Sequence, residues 1–181
     1  VRSWLETGDA MTEIRMHITQ GQHAASGEAN VVITTLLGSC VACCLWDPNA
    51  RVGGMNHMLL TVRQDANLTD NLVGVNAMEV LINALIKSGA QRSSLRAKAF
   101  GGARMVDGLS DIGEANAQFT LDFLASEGIT CEGHSFGGTN ARNIRFWPAT
   151  GRVLQRMSTD RVIEPKAIVH APPEGNDLEL F

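Results

Sequence analysis

Apolar residues alternate with polar ones at Ile14, Met16 and Ile18, the spacing of a half-buried strand, so the packed part of the chain is expected to begin near Glu13. A stretch containing Gly, Ser and Ala follows and reads as a loop. Val31 to Leu37 and Val41 to Trp46 are β-branched and apolar runs parted by Gly38-Ser39, and both predict strands. Asp47-Pro48-Asn49-Ala50 predicts a turn, because Pro presets φ at the second turn position while Asp and Asn bond their own backbone. Val52 to Leu60 then returns as a further strand.

The period changes over Asn76 to Ser88, where Met78, Leu81, Ile82, Leu85 and Ile86 recur at helical spacing and Gly89 stands where a helix would end. Leu95 to Phe100 predicts a strand running into Gly101-Gly102. A second helix opens at Asp111 or a neighbour and runs to about Glu127, with Ala117, Leu121 and Leu124 inward and Gly128 as its stop. Ile129 to Phe136, Arg142 to Trp147 and Arg152 to Met157 are expected strands, separated by Gly137-Gly138 and by Pro148-Ala149-Thr150-Gly151. Many strands with two amphipathic helices predict an α/β (α+β) layered sandwich whose helices cover one sheet face. The chain divides into an N-terminal extension at 1–12, a packed unit at 13–157 and an extended or mobile tail at 158–181 holding three of the prolines.

A hydrophobic content of 44% and a charged content of 19% over 181 residues suit one compact unit with a real core. The formal net charge is -4 and the Lys and Arg residues are scattered, so the basic stripe that nucleic acid requires is missing. No apolar run approaches the roughly 18 residues of a membrane span, and no secretory pattern opens the chain, which favours a cytoplasmic protein without direct membrane insertion. The four cysteines, at 40, 43, 44 and 131, do not form the spread framework of a disulfide-built domain and read as reduced thiols.

One of those thiols has a candidate partner. If Pro48 and Asn49 are the central residues of a hairpin, positions summing to 97 face each other and Cys40 meets His57; a slip of one residue would part them. A free thiol of pKa about 8.5 is mostly protonated at neutral pH, and a neighbouring imidazole can take its proton and hold the thiolate. Gly38 and Ser39 would let backbone amides approach a developing oxyanion. Read in isolation, Cys40 is first of all a small buried hydrophobe, as most free cysteines are. A zinc site on Cys40, Cys43, Cys44 and His57 is disfavoured, since adjacent Cys43 and Cys44 point to opposite strand faces and no second Cys-x-x-Cys follows. Cys43, Cys44 and Cys131 read as core residues, and His17, His23, His134 and His170 as solvated or structural. Arg104 and Arg142 read as solvated or weakly paired, and the Gly pairs as turns or bulges.

Thr34-Thr35-Leu36-Leu37-Gly38-Ser39-Cys40, followed by Gly53-Gly54-Met55-Asn56-His57 seventeen residues after the cysteine, closely resembles the CheD family of chemoreceptor glutamine deamidases from bacterial chemotaxis. The resemblance continues through Ala97-Lys98-Ala99-Phe100-Gly101-Gly102-Ala103, Ile112-Gly113 with Asn116, and Gly137-Gly138 with Arg142, in matching order over roughly 13–157. It implies an α/β/β layered sandwich similar to the toxin domains that deamidate glutamine on host GTPases. It implies Cys40 as nucleophile, His57 as general base and acid, and Thr34 as the residue that orients the imidazole, with Thr35 its neighbour on the opposite strand face. The implied chemistry is hydrolysis of receptor glutamine to glutamate through a thioester, with no metal or organic cofactor. The implied partners are the cytoplasmic domains of methyl-accepting chemotaxis receptors and a CheC-type phosphatase, the latter leaving a non-catalytic adaptor as the alternative role. The segment Thr61 to Val75 lacks the tyrosine-containing stretch associated with the family, and the chain has no tyrosine.

Overall fold

The structure, a computed structural model, describes residues 12–60, 69–105 and 111–158. The expected N-terminal extension and C-terminal tail fall almost wholly outside the described residues, as does the start of the Thr61 to Val75 departure. Nine strands and two α-helices are described, with one short 3-10 turn at Arg92–Ser94: β1 Ile14–His17, β2 His23–Ser26, β3 Val31–Leu37, β4 Val41–Asp47, β5 Val52–Asn56, α1 Thr69–Lys87, β6 Arg96–Gly101, α2 Asp111–Ser126, β7 Thr130–Phe136, β8 Arg142–Trp147 and β9 Arg152–Met157. They build a four-stranded sheet in the order β1-β3-β8-β9 and a five-stranded sheet in the order β2-β5-β4-β6-β7.

The central strand β4 explains the layering. All seven of its residues are buried, as expected of a strand covered on both faces. Val41, Cys43 and Leu45 pack with Met78, Leu81, Ile82 and Leu85 of α1 and with Phe123 and Leu124 of α2. Ala42, Cys44 and Trp46 point the other way and pack with Cys40 on Ile33, Leu37, Ile144 and Phe146 of the four-stranded sheet. Helices, five-stranded sheet and four-stranded sheet thus form three layers, the layered sandwich that the pattern predicted, in the α/β/β order that the resemblance implied. Leu→Ala at a buried site such as Leu81 costs about 2–5 kcal/mol, so α1 is held mainly by this inward face. Gly54 is required by the same packing, because a Cβ there would stand 2.7 Å from both the Ala24 carbonyl oxygen and Leu81 Cδ1.

Four expectations need correction. β2, expected to be loop, is a strand paired antiparallel with β5 from His23↔Asn56 to Ser26↔Gly53. β1 is exposed at all four positions, being an edge strand paired, among the described residues, in parallel with β3 alone. α1 begins before Asn76, at Thr69, while Ile86, expected on its inward face, is 41% exposed. In α2 the buried face includes Thr120 and Phe123, whereas Leu121 is only half-buried.

Candidate active site

Cys40 stands in the short link that leaves β3 in one sheet and enters β4 in the other. That link is clamped from the β6 side: Gly102 N donates to Cys40 O at 2.9 Å and Ala103 N to Gly38 O at 2.9 Å. The clamp needs bare backbone, since Gly101 has φ +125 and a Cβ on it would lie 2.1 Å from Cys40 O. The Gly101-Gly102 pair therefore sets the position of Cys40.

The hairpin that brings His57 back differs from the expected one. Its loop holds four residues, with Asp47 opposite Val52, because Asp47 Oδ1 accepts from Asn49 N and Ala50 N and its carbonyl accepts from Arg51 N. The register runs on to Val41↔Met58, which places His57 opposite Ala42 and diagonal to Cys40. The shift in partner is two positions, so the face is retained: Cys40, Ala42 and His57 all look into the space between the sheets. Diagonal positions lie about 7–8 Å apart along the backbone, within reach of a long side chain. Asn56 steadies the strand end, its Oδ1 accepting from Cys43 N at 3.0 Å.

The imidazole meets a hydroxyl from the opposite sheet. His57 Nδ1 lies 2.8 Å from Thr35 Oγ1, and Thr35 Oγ1 donates to the Ile18 carbonyl at 2.8 Å. A hydroxyl has one proton, and the carbonyl can only accept, so that proton is committed to Ile18. Thr35 Oγ1 must then accept from His57 Nδ1–H. The tautomer follows: Nδ1 carries the hydrogen and Nε2 carries the lone pair. Nε2 is fully buried and has no hydrogen-bond partner among the described residues. Burial, and secondarily the nearby His17, depress the His57 pKa from 6.5 to about 4, so the ring is neutral at neutral pH.

Thr34, the residue expected to orient the imidazole, lies on the strand face away from His57. On β3 it faces the outer side of the four-stranded sheet, where its Oγ1 lies 3.1 Å from His17 Nδ1, whereas inward-facing Thr35 is 2% exposed and reaches His57. Strand alternation separates the two threonines, and the side of β3 that packs on the five-stranded sheet is the side of Ile33, Thr35 and Leu37.

Comparison with known proteins identifies the lineage. The family described as CheD chemotactic sensory transduction matches residues 61–157. A protein of Caulobacter sp. (strain K31), named a probable chemoreceptor glutamine deamidase CheD, is 46% identical over 180 residues, covering 96% of each chain. The chain belongs to the CheD family. A namesake from Caulobacter vibrioides (strain NA1000 / CB15N) is 50% identical, again over 96% of each chain. Among solved structures, the Bacillus licheniformis hypothetical protein YfiH overlaps 62% of this chain and 49% of its own at 14% identity, with a TM-score of 0.39.

Other residues of this CheD chain find places away from the thiol or in support of it. Asn116, on α2, donates to Ser39 O at 3.1 Å and accepts from Leu60 N at 2.7 Å, tying the residue before Cys40 to the strand exit after His57. Arg142 is not a solvated or weakly paired arginine; it is 1% exposed and donates to the carbonyls of Ser135 and Gly137. Cys43 and Cys44 are fully buried, and burial pushes both thiols up; Cys131, half-buried, is raised for the same reason. A groove of about 530 Å³ crosses the outer face of the four-stranded sheet past His17, Thr34 and Arg145, and another of about 400 Å³ lies by Gly102 and Phe136; Cys40 lines neither. Among the described residues no group of three or more His, Cys, Asp and Glu side chains is placed to hold a metal ion, and no helix is long and apolar enough to cross a membrane.

Proposed function

We propose that this chain hydrolyses glutamine side chains of chemoreceptors to glutamate, with Cys40 as nucleophile, His57 as base and acid, and Thr35 as the residue that orients the imidazole. The observation that carries this reading is the proton arrangement at His57. Nδ1–H is held by Thr35, and the buried Nε2 lone pair is left as the base, neutral and ready at physiological pH. The family relationship supplies the substrate class, since relatives covering almost the whole chain are named for receptor glutamine deamidation.

In the reaction, His57 Nε2 takes the Cys40 proton and the thiolate attacks the glutamine Cδ, forming an S–C bond and an oxyanion. The imidazolium returns its proton to the nitrogen, the C–N bond breaks and ammonia leaves. A thioester remains. Water, losing a proton to the same Nε2, then adds to the thioester; cleavage of the S–C bond gives a carboxylate and regenerates the thiol. Imidazolium formation in this buried site is unfavourable by itself, so it is suited to a transient carrier that hands its proton on quickly.

The test is peptide mass spectrometry of a receptor cytoplasmic fragment incubated with wild-type protein, Cys40→Ala and His57→Gln. Conversion by the wild type, lost in both variants, is expected. Wild-type protein that is folded yet converts no glutamine on several receptors would instead point to the adaptor role, in which receptors or a CheC-type phosphatase are bound without chemistry.

A further inference from the structure

Gln20 lies in the exposed turn between β1 and β2, and its side-chain Oε1 accepts from Cys40 Sγ at 4.0 Å. The turn is well tied. Gln22 Oε1 accepts from Thr19 N at 2.9 Å and Thr19 Oγ1 at 3.0 Å, and Gln22 N donates to Thr19 O at 2.9 Å. It is also stitched to the backbone of His57 on both sides, through Gly21 N to His57 O at 2.8 Å and His57 N to Gln22 O at 2.9 Å. A turn fixed to the base thus carries a primary carboxamide onto the thiol.

A primary carboxamide is also the group a glutamine deamidase must receive. Attack requires its carbon within about 3–3.5 Å of the sulfur. With Oε1 at 4.0 Å, the Gln20 carboxamide stands about one atom's breadth from that place, and a second carboxamide cannot share it. Cys40 itself is 3% exposed, while Gln20 is exposed, so Gln20 forms part of the cover between thiol and solvent. Its hold is slight, because a thiol is a weak donor and an exposed side chain changes rotamer within picoseconds to nanoseconds.

We infer that the carboxamide of Gln20 stands in the place the substrate carboxamide takes, so that Gln20 marks that subsite and competes for it. The inference rests on Cys40 being the nucleophile. A substrate glutamine enters by displacing Gln20, and the tied turn sets the side from which it comes.

The experiment has two readouts on the full chain, comparing wild type with Gln20→Ala and Gln20→Glu. The first is alkylation of Cys40 by iodoacetamide, followed by peptide mass spectrometry that separates Cys40 from the other cysteines, with circular dichroism as a check of folding. Gln20→Ala is expected to alkylate severalfold faster at Cys40. Gln20→Glu is expected to alkylate more slowly, because a carboxylate beside the sulfur opposes the thiolate. The second readout is conversion of a receptor fragment, for which Gln20→Ala is expected to lower KM about threefold to tenfold while kcat moves by less than about twofold. Unchanged or slower alkylation of folded Gln20→Ala overturns the inference, as does a tenfold loss of kcat at constant KM, which would make Gln20 a transition-state donor. Faster alkylation with no glutamine converted by any form would sink the deamidase reading and leave the placement of Gln20 standing. Conversion without faster alkylation would do the reverse.

Discussion

Replacing Thr35 by Val keeps the shape of the side chain and removes one oxygen that serves two hydrogen bonds. In the variant, the buried His57 Nδ1–H and the Ile18 carbonyl each lose that partner. Stranding a buried polar group costs about 1–3 kcal/mol, and some relaxation is available at the Ile18 end of the turn, so we expect a stability loss of about 2–3 kcal/mol. Activity should suffer separately, because the hydrogen that kept Nε2 free as a base is no longer fixed on Nδ1. A bias of about 1.4–2.8 kcal/mol corresponds to a 10- to 100-fold fall in kcat. Thr35→Ser retains the hydroxyl and should stay within severalfold of wild type. Thr34→Val removes an outward contact to exposed His17 and should change stability by less than about 0.5 kcal/mol and activity by less than about twofold. Urea unfolding followed by circular dichroism gives the stabilities, and mass spectrometry of a receptor fragment gives the rates. A Thr34→Val enzyme as impaired as Thr35→Val, or a fully active Thr35→Val, would refute the reasoning.

The buried neutral imidazole also sets a pH dependence. The unfolded chain binds a proton at His57 near pH 6.5 and the folded chain only near about 4, so the contribution is full above pH 6.5 and is lost as pH falls toward 4. The loss is about 2 kcal/mol by pH 5 and at most about 3 kcal/mol, and urea midpoints across this window should show it in wild type but much less in His57→Gln. A stability difference between the two proteins that does not vary from pH 7 to pH 5 would contradict the buried neutral ring. Gly101→Ala should destabilise by more than about 3 kcal/mol, since a Cβ would meet Cys40 O at 2.1 Å from a backbone at φ +125; a soluble variant melting within a degree or two of wild type would show that the clamp on Cys40 is dispensable.

Much of the sandwich was legible because local signals agree with burial. β3, β8 and β9 coincide with their predicted ranges, β3 being closed by Gly38, β8 by Pro148, and β9 opened after Gly151. His23-Ala24-Ala25-Ser26 offers no β-branched residue, and its strand state comes from pairing with β5, a tertiary fact without a local trace. The first turns of α1 were missed because Leu72 and Val73 are 62% and 54% exposed and so break the buried period. At the site, motif spacing singled out Cys40 and His57, yet the hairpin register depended on how many residues Asp47 would gather into the turn. The choice between Thr34 and Thr35 was harder still. Val31 to Leu37 is apolar at positions of both parities, so nothing along β3 says which face will be covered until the second sheet is in place.

The parts of the site come from separate walls of the sandwich. Thr35 belongs to the four-stranded sheet, His57 follows a strand of the five-stranded sheet, and Cys40 lies in the link between them. Sliding one wall past the other by a single residue, about 3.4 Å, would pull Thr35 away from the imidazole while leaving each sheet's own ladder intact. On the proposed chemistry, catalysis therefore acts as a vernier on sheet alignment. On mild heating or denaturant the activity should fade before the secondary structure does, and a partner that grips one wall alone has a mechanical handle on the rate.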